Sequence, residues 1–294
     1  MIQDDFETYR PKLLGIAYRM LGEIGAAEDA VQDTYVRWSQ SVGKSGEDQV
    51  ENVEAYLVTI TTRLCIDSLK SARARRESYV GPWLPEPLIS DVTPGPDAQQ
   101  ELAETLSYAF MLLLEELSPV ERAVYILREA FDFKHQEIAE VLDRSSAYSR
   151  QVSRRAQARL QQPGKRFVAS DADKDQLFEQ FVAAAAGPDL NQLFEFLADD
   201  IVAHTDGGGK VRAALKVLSG KPRVIEFIRR VLPQLAAQSE LVACRVNGQP
   251  AIKQLVDGET VGVVTVHIAH GKVQQLFVVR NPDKLTSDSN KLLS

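Results

Sequence analysis

Cysteine and long apolar runs are both scarce in this sequence. Its 294 residues include two cysteines, Cys65 and Cys244, which lie far apart, so we expect neither a disulfide framework nor a metal-binding set. No apolar run reaches the roughly 18 residues of a membrane span. The first residues, MIQDDFETYR, lack the basic and apolar regions of a secretory signal. These features predict a cytoplasmic protein that needs no metal or cofactor.

An excess of positive charge is also lacking. The formal net charge is −7 and the isoelectric point is near 5.3, an average that argues against a nucleic-acid partner. The charge is nevertheless sorted along the chain. Residues 144–166 contain seven basic side chains and no acidic one, residues 63–76 contain five basic side chains and one acid, and residues 23–54 are mainly acidic. Two local segments are therefore candidates for binding DNA.

Apolar residues at helical spacing occupy the first 76 positions. The segments FETYRPKLLGIAYRML and AAEDAVQDTYVRW are typical of amphipathic helices. A third segment, VEAYLVTITTRLCIDSLKSARARR, contains a β-branched run from Val58 to Thr62. Leu57, Ile60 and Leu64 recur there at helical intervals, which favours a helix over a strand. We therefore predict that this part of the chain is entirely helical.

Five prolines between Pro82 and Pro96 predict a linker, because proline is excluded from a regular helix interior. The following segment, ELAETLSYAFMLLLEEL, predicts an apolar helix. At SPVE the chain then begins a new helix, with Ser118 as N-cap, Pro119 at the first helical position and Glu121 closing a capping box.

Three helical segments are predicted after this boundary, at 119–130, about 134–142 and about 146–160. The last two are joined by Asp143-Arg144-Ser145, a turn of helix-turn-helix length in which Asp143 tolerates a left-handed backbone. In the final helix Arg150 and Arg154 lie opposite an apolar stripe made of Tyr148, Val152, Ala156 and Leu160. This division suits a DNA recognition helix, whereas an ordinary solvated helix is the alternative.

A different pattern begins after residue 170. Residues 176–196 predict two helices separated by Gly187-Pro188, IVAHTD predicts a strand and KPRVIEFIRRVLPQL a helix. Four short β-rich runs follow, separated by Asn247-Gly248, Asp257-Gly258 and Gly271, which are hairpin signals. Helices followed by an antiparallel meander predict an α+β domain.

The first 165 residues resemble a known family. The segments RMLGEIGAAEDAVQDTYVRW and AYLVTITTRLCIDSLKSARARR resemble regions 2.1 to 2.4 of extracytoplasmic-function sigma factors of the sigma-70 family, and Leu117 to Leu160 resembles region 4. The resemblance implies a protein that binds core RNA polymerase and directs transcription initiation from promoters with −10 and −35 elements.

The same resemblance implies a role for each segment. The helix from Ala27 to Trp38 corresponds to the part that docks on the β′ clamp helices of the polymerase, through Asp29, Gln32, Asp33 and Arg37. The third helix corresponds to the element that captures the melted −10 strand, through Tyr56, Arg63, Lys70, Arg73, Arg75 and Arg76, although Tyr56 is equally well explained as a core residue. Region 4 contacts the β flap and reads the −35 element through Arg144, Ser146, Arg150, Gln151, Arg154 and Arg155.

The last third resembles a SnoaL-like domain of the NTF2-like superfamily, a cone of curved sheet wrapped by helices. WLPEP at 83–87, DGGGK at 206–210 and NPDKL at 281–285 resemble motifs of sigma factors that carry this domain fused to their C-terminus. The resemblance implies regulation in cis. The predicted regulatory contact comprises Trp83, Leu84, Pro85, Asp206, Gly207, Gly208, Gly209, Lys210, Asn281, Pro282 and Asp283.

The predicted architecture is two all-α sigma domains followed by an α+β NTF2/SnoaL-like cone domain. We expect region 2 at 1–77, a proline-rich linker at 78–98, region 4 at 99–165, the SnoaL-like domain at 171–285 and a tail at 286–294.

Two other features of the sequence suggest different functions. HTDGGGK suggests a phosphate loop, but its spacing differs from that motif and we expect the chain to continue as a strand at Val211 instead of opening a helix. His204 and Asp206 alternate along one strand and would face the same side, as a proton-transfer pair of an isomerase-like domain does. The alternative function is therefore a helix-turn-helix regulator fused to a small-molecule-binding or isomerase-like domain, whereas the preferred prediction is that the protein is not an enzyme.

Overall fold

The computed structural model describes residues 2–45, 52–90, 106–160, 174–187 and 189–285. They form two compact units. The helical unit holds the described residues up to position 77 and those from 111 to 160. The C-terminal unit holds those from 78 to 110 and from 174 to 285. The predicted linker residues 91–98 and the predicted tail 286–294 lie outside the described residues.

The helical unit begins with three helices, α1 (Ile2–Leu21), α2 (Ile24–Ser45) and α3 (Val53–Glu77). Helix α3 continues through the β-branched run, and its buried side chains include Leu57, Thr61 and Cys65. A buried hydrogen bond of 2.9 Å joins the hydroxyls of Thr34 on α2 and Thr61 on α3. The helical periodicity predicted this element correctly because packing of one face outweighs local β propensity.

Helix α4 (Tyr108–Leu114) contains the boundary between the units, and the helical unit continues with α5 (Pro119–Glu129), α6 (His135–Leu142) and α7 (Ser146–Leu160). The predicted capping box starts α5: the backbone N–H of Ser118 donates to the Glu121 carboxylate at 3.0 Å, and the Glu121 N–H donates to the Ser118 hydroxyl at 3.4 Å. Helix α6 ends at Asp143, whose φ of 53° and ψ of 54° are left-handed. The predicted helix-turn-helix is therefore present.

The C-terminal unit combines three helices, α8 (Lys174–Ala186), α9 (Leu190–Glu195) and α10 (Lys221–Gln238), with one seven-stranded sheet. The strands are β1 (Ile89–Ser90), β2 (Leu197–Asp206), β3 (Leu218–Ser219), β4 (Glu240–Val246), β5 (Gln249–Val256), β6 (Glu259–Ala269) and β7 (Lys272–Val279). Their order is β1-β4-β5-β6-β7-β2-β3.

Strands β4 to β7 form the predicted antiparallel meander. Its hairpins turn at Asn247-Gly248, Asp257-Gly258 and His270-Gly271, where both residues of each pair have positive φ. Strand β2 pairs with β7 in parallel, which local hairpin signals do not predict because the two strands are distant in sequence.

One expectation about a loop was wrong, and one strand was not foreseen. The chain leaves the sheet at Asp206 instead of continuing as a strand at Val211, and Gly208 and Gly209 follow with φ of 60° and 72°. Part of the proline-rich segment is ordered as strand β1, in which Ile89 pairs with Val246 of β4. Proline signals only that a helix is excluded, and the pairing depends on a strand more than 150 residues away.

The two faces of the sheet have different coverings. One face packs on α8, α9 and α10, and the shared core contains Phe178, Phe181, Ile201, Val224 and Leu276. We call this the helix-covered face. The other face is covered by residues 79–90 and 106–108, among which Leu84 and Leu88 are almost fully buried. We call this the linker-covered face.

Candidate nucleic-acid interface and linker clamp

An exposed row of cationic side chains lies on α7 and the turn before it. Ser149, Val152, Ala156 and Leu160 are buried. Arg144, Arg150, Gln151, Arg154 and Arg155, all predicted −35 contacts, are exposed. Ser146, the remaining one, is half-buried and its hydroxyl accepts from the Arg150 guanidinium at 2.9 Å. We call the four exposed arginines, Arg144, Arg150, Arg154 and Arg155, the arginine face. Its chemistry suits phosphate and guanine recognition in a major groove.

The end of α7 is held by an ion pair. The Arg159 guanidinium donates to the Glu121 carboxylate at 2.9 Å. Burial opposes ionisation of this carboxyl, but hydrogen bonds from Ser118 and the charges of Arg159 and Arg155 keep the pKa of Glu121 below its usual value. Arg159 therefore helps to dock α7 on α5, and the arginine face presents the other cations.

A second exposed face lies on α2. Ala27, Ala30, Val31 and Trp38 are buried toward α1 and α3. The predicted polymerase contacts Asp29, Gln32, Asp33 and Arg37 are all exposed, as is Val36 between them. We call this surface the acidic face. A polar surface with few cations suits a protein partner better than DNA.

The predicted −10 residues of α3 are divided between different environments. The Tyr56 ring is half-buried and packs at 5.8 Å from the buried Trp38 ring, which supports its interpretation as a core residue. Arg63 is exposed, yet its Nε donates to the backbone oxygen of Val141 at the end of α6, at 2.9 Å. Lys70 is exposed and pairs with Asp67. The side chains of Arg73 and Arg75 lie outside the described residues.

Arg76 is placed differently from the expected DNA-binding position. Its guanidinium is only 14% exposed and donates to the Glu115 carboxylate and to the backbone oxygen of Leu21. Arg122, which is 4% exposed, donates to the same carboxylate at 2.8 Å and to the backbone oxygen of Met20 at 2.7 Å. We call Glu115, Arg76 and Arg122 the buried ion triad. It joins α5 to the N-terminal helices, so Arg76 has a structural role here.

The C-terminal unit contains a second buried charge cluster, centred on Asp206 at the end of β2. The Asp206 residue as a whole is 1% exposed. It accepts hydrogen bonds from the Tyr79 hydroxyl at 2.6 Å, the Leu84 N–H at 2.9 Å, the Gly208 N–H at 3.0 Å and the Lys284 ammonium at 2.7 Å. Two of these donors belong to the linker segment. These four donors fill the roughly four hydrogen-bond positions on the oxygens of the buried carboxylate.

Lys284 is the cationic partner of Asp206 and also binds the linker segment. Its ammonium donates to the backbone oxygen of Leu84 at 2.6 Å and lies over the rings of Trp83 and Tyr79, at 4.5 Å and 4.9 Å from their centroids. Burial, with the neighbouring Asp206 carboxylate, raises the pKa of the Tyr79 hydroxyl, which therefore keeps its proton and remains a donor. We call Tyr79, Trp83, Leu84, Asp206 and Lys284 the linker clamp.

The other predicted motif residues surround this clamp. Asn281 donates from its amide to the Tyr79 hydroxyl at 2.8 Å, and a Cβ on Gly208 would lie 2.5 Å from the Asn281 side chain. Glycine is therefore required at 208 by both its positive φ and this close approach. Lys210 pairs with Asp283 at 2.6 Å in an exposed position, after Pro282 has begun a short 3-10 turn. The structure thus brings all three motifs together.

A second attachment of the linker segment was not predicted from the sequence. The Leu88 N–H donates to the side-chain oxygen of Asn247, and the Asn247 N–H donates to the Leu88 oxygen, both at 2.9 Å. The Tyr108 hydroxyl donates to the backbone oxygen of Pro85 at 3.0 Å, and the Tyr108 ring stacks on Phe277. Asn247 and Tyr79 were missed because an Asn in a hairpin turn and a linker tyrosine carry no local signal of distant partners.

The predicted proton-transfer pair of the alternative function is positioned for a different task. His204 and Asp206 do share one side of β2, but this is the linker-covered face, where the His204 ring stacks on Phe277. The large cavity of the C-terminal unit opens on the helix-covered face, and neither residue lines it. Asp206 is saturated by donors, so the two side chains act in packing and linker attachment.

We expect His204 to make the C-terminal unit sensitive to acid. Burial lowers the pKa of His204 to about 4, whereas an unfolded histidine titrates near about 6.5. The unfolded chain therefore binds more protons between these values, and stability falls as pH drops through this window. Between pH 7 and pH 5, titration of His204 should lower the free energy of unfolding of the unaltered chain by about 2 kcal/mol. In urea unfolding, His204→Phe, which keeps an aromatic ring on Phe277, should not show this part of the loss. An unchanged pH profile in the variant would contradict the assignment.

None of the helices that the structure describes is long and apolar enough to span a membrane. Within the same residues, no group of three histidine, cysteine, aspartate or glutamate side chains is arranged to hold a metal ion.

Comparison with known proteins gives a consistent result. A family model described as Sigma-70 region 2 matches residues 6–75, and one described as Sigma-70, region 4 matches residues 107–156. The chain is 34% identical over 301 residues to the ECF RNA polymerase sigma factor SigJ of Mycobacterium tuberculosis, covering 98% of this chain and 94% of that protein. It is 30% identical over 284 residues to the probable ECF RNA polymerase sigma factor SigI of the same organism, covering 95% and 93%.

Structural comparison agrees with the sequence matches. The crystal structure of the M. tuberculosis SigJ aligns with a TM-score of 0.75 at 30% identity, over 96% of this chain and 98% of that one. The similarity thus includes both the helical segments and the C-terminal α+β part.

Proposed function

We propose that different surfaces of this chain carry out different steps of transcription initiation, because the chain belongs to the extracytoplasmic-function sigma factors of the sigma-70 family. Members of this family bind RNA polymerase and promoter DNA to direct transcription initiation. The acidic face of α2 docks on the β′ clamp helices. Helix α3 captures the melted −10 strand, and the arginine face reads the −35 element while region 4 also contacts the β flap. The SnoaL-like domain regulates these activities in cis through the linker clamp.

The exposed arginine face is the observation that carries this proposal. Helix α7 packs through Val152 and Ala156 and leaves its cations in solvent. It directly follows the turn of the helix-turn-helix, in which the backbone of Asp143 is left-handed. Arginine at these positions can both neutralise phosphates and form bidentate hydrogen bonds to guanine. The relatives are sigma factors, which are not enzymes, and this agrees with the placement of His204 and Asp206 away from the cavity.

The packing inside the helical unit supports a resting form that must open. Arg63, a proposed −10 contact, is hydrogen-bonded to the last turn of α6 in the helix-turn-helix, at 2.9 Å. The −10 and −35 elements are separated by roughly 80 Å of DNA at the 3.4 Å rise of each base pair. The −10 and −35 elements therefore cannot be bound at the same time while α3 and α6 are in contact. We therefore infer that polymerase or promoter binding separates the two halves of this unit.

Transcription with purified core RNA polymerase tests the proposed function. Both the full chain and a chain shortened after residue 165 should be assayed on promoters mapped after overexpression. A promoter-dependent run-off transcript from either one supports the proposal. The lack of such a transcript from both, with an active control sigma factor in parallel, would refute it.

Replacing Arg154 with alanine should weaken binding to the −35 duplex by about 1–3 kcal/mol, because one cation of the arginine face is lost. The slope of log affinity against log salt should fall by about one. Fluorescence anisotropy over a range of salt concentrations measures both quantities. Arg229→Ala, which removes an exposed arginine of the C-terminal unit, is the matched control and should leave both unchanged.

The acidic face should separate from the arginine face in the same assays. Asp33→Ala is expected to weaken binding to core RNA polymerase without changing affinity for the isolated −35 duplex. If Asp33→Ala and Arg154→Ala impaired the same binding step, the proposed roles of the two faces would be wrong.

A further inference from the structure

A histidine lies inside the helix-turn-helix, at the start of its first helix. His135 is the first residue of α6 and is half-buried. Its Nδ1 shares a hydrogen bond of 3.1 Å with the hydroxyl of Ser149, a fully buried residue in the first turn of α7. The next residue along α7 is Arg150, which belongs to the arginine face. His135 therefore holds the turn of the recognition helix that presents a proposed −35 contact.

DNA comes close to this ring in the usual docking of a helix-turn-helix. The first residues of the recognition helix enter the major groove, and the helix before it crosses the DNA backbone. Because its hydrogen bond joins the starts of both helices, His135 lies in that docking where backbone and groove meet. Lys134 and Glu137, on the same turn of α6, are exposed, and the Lys134 backbone N–H donates to the Glu137 carboxylate. Among the residues that the structure describes, Nε2 of His135 has no hydrogen-bond partner, so this nitrogen can meet a phosphate oxygen.

Nearby cations oppose a positive charge on this ring in the free protein. Burial lowers the pKa of His135, and the guanidiniums of Arg128 at the end of α5 and Arg150 on α7 lower it further. The exposed carboxylate of Glu129 opposes them with a smaller effect. An unperturbed histidine titrates near about 6.5. The ring is therefore mostly neutral at pH 7 in the free protein.

Binding of DNA reverses this balance. A phosphate beside Arg150 compensates the cation that repels a proton from the ring, and a negative charge within about 4–6 Å of an imidazole favours its protonated form. The pKa of His135 is therefore higher in the complex than in the free protein. Because coupling between two ligands is reciprocal, a proton taken up on binding makes the affinity for DNA rise as pH falls. The rise begins near the pKa of the complex and is complete below that of the free protein.

We propose that His135 couples −35 recognition to the uptake of a proton. Neutral or charged, the ring positions α7 through Ser149, and when protonated it also donates from Nε2 to a DNA phosphate beside Arg150. This inference rests on the proposed −35 role of the arginine face. It adds a property that the arginines cannot supply, because a guanidinium keeps its charge throughout the physiological pH range.

Fluorescence anisotropy of a labelled −35 duplex, titrated with the full chain between pH 8 and pH 5.5 at constant salt, tests this coupling. We expect affinity to rise about tenfold as pH falls over this range, because a pKa that differs by about one unit between free and bound protein changes affinity by that factor. Far-UV circular dichroism at each pH checks that the chain stays folded. Affinity that does not rise would overturn the proposal while leaving the −35 role intact. A duplex that is not bound at any pH would contradict that role and the proposal with it.

Three variants then assign the proton. His135→Asn, which keeps a polar group near the position of Nδ1 but cannot titrate, should lose the pH dependence and bind about tenfold more weakly than the unaltered chain at pH 5.5. Ser149→Ala keeps the titrating ring without its hydrogen bond, so affinity should fall at every pH while the rise toward acid persists. His270→Asn removes an exposed histidine from a hairpin of the C-terminal unit and is the matched control, which should keep the full rise. A rise that survives in His135→Asn, or that is lost in His270→Asn, would show that the proton is bound elsewhere.

Discussion

Replacing Asp206 with alanine is expected to lower the free energy of unfolding of the C-terminal unit by about 3–5 kcal/mol, the typical cost of breaking a buried ion pair. The side chains of Lys284 and Asp206 are 9% and 0% exposed, so the ammonium would remain buried without its counter-charge. The Tyr79 hydroxyl and the Leu84 N–H would lose their acceptor at the same time. Both the stability of the unit and attachment of the linker should therefore be impaired.

Tryptophan fluorescence distinguishes these two effects. The chain contains two tryptophans, and in a Trp38→Phe background the remaining signal reports Trp83, whose ring lies under the Lys284 ammonium. Asp206→Ala should change this signal before global unfolding in urea, as the linker segment detaches. Trp83 emission that remains native-like until the whole unit unfolds would contradict the proposed detachment.

The exposed pair of Lys210 and Asp283 provides the matched control for Asp206. Its side chains are 55% and 61% exposed, so Asp283→Ala should cost less than about 1 kcal/mol. If the two aspartate variants were equally destabilised, burial would not be the source of the strength of the clamp.

The Asp206 variant also tests regulation in cis. If the linker clamp couples the SnoaL-like domain to the helical unit, its release should change the yield of promoter-dependent transcript at constant protein and polymerase concentration. Asp283→Ala should leave that yield unchanged. A folded Asp206→Ala protein with unaltered transcription would refute the regulatory role and leave the clamp as a structural feature.

The second large effect is expected at Glu115 in the helical unit. Glu115→Ala leaves Arg122, which is 4% exposed, without a carboxylate partner, whereas Arg76 keeps Glu23 at 3.8 Å, so the unit should lose about 3 kcal/mol. Glu7 forms an exposed pair with Arg10, and Glu7→Ala should cost less than about 1 kcal/mol. Urea unfolding followed by circular dichroism compares the two variants, and similar losses from both would contradict the importance of the triad.

The buried ion triad should also contribute to acid sensitivity. Burial alone would raise the pKa of Glu115, but the charges and hydrogen bonds of Arg122 and Arg76 prevail and hold it below its usual value. A carboxyl whose pKa is depressed in the folded state contributes stability above its unfolded pKa, near about 4.3, and this contribution is lost as pH falls through the folded value. Glu115→Ala should therefore show a smaller loss of stability than the unaltered chain below about pH 4.

Loss of the triad should also weaken the packing that keeps Arg63 against Val141. Because Arg122 contacts the carbonyl of Met20 at the end of α1, the triad joins α5 to the N-terminal helices. If the packed arrangement is a resting form, Glu115→Ala protein at a temperature where it remains folded should bind the −35 duplex at least as tightly as the unaltered chain. Weaker binding would indicate that the packed arrangement itself is needed for DNA recognition.

Local signals determined much of the helical part from the sequence alone. The capping box at Ser118, the left-handed turn at Asp143 and the division of α7 into buried and charged sides each depend on residues within one or two helical turns. The hairpins at Asn247-Gly248 and Asp257-Gly258 are local in the same sense. Such features are set by backbone conformation and hydrophobic periodicity, which a sequence displays directly.

The sequence showed that the three motifs of the clamp lie on separate segments. It did not show which hydrogen bonds and ion pairs join them. Tyr79 and Lys284 complete the Asp206 site from positions more than 70 residues away on either side, and neither has a distinctive local pattern. Arg76 is one of five similar cations in its segment, and only the position of Glu115 shows that it is buried and paired. The parallel pairing of β2 with β7 was decided in the same way, because burial, register and charge pairing between distant segments depend on how the whole chain packs.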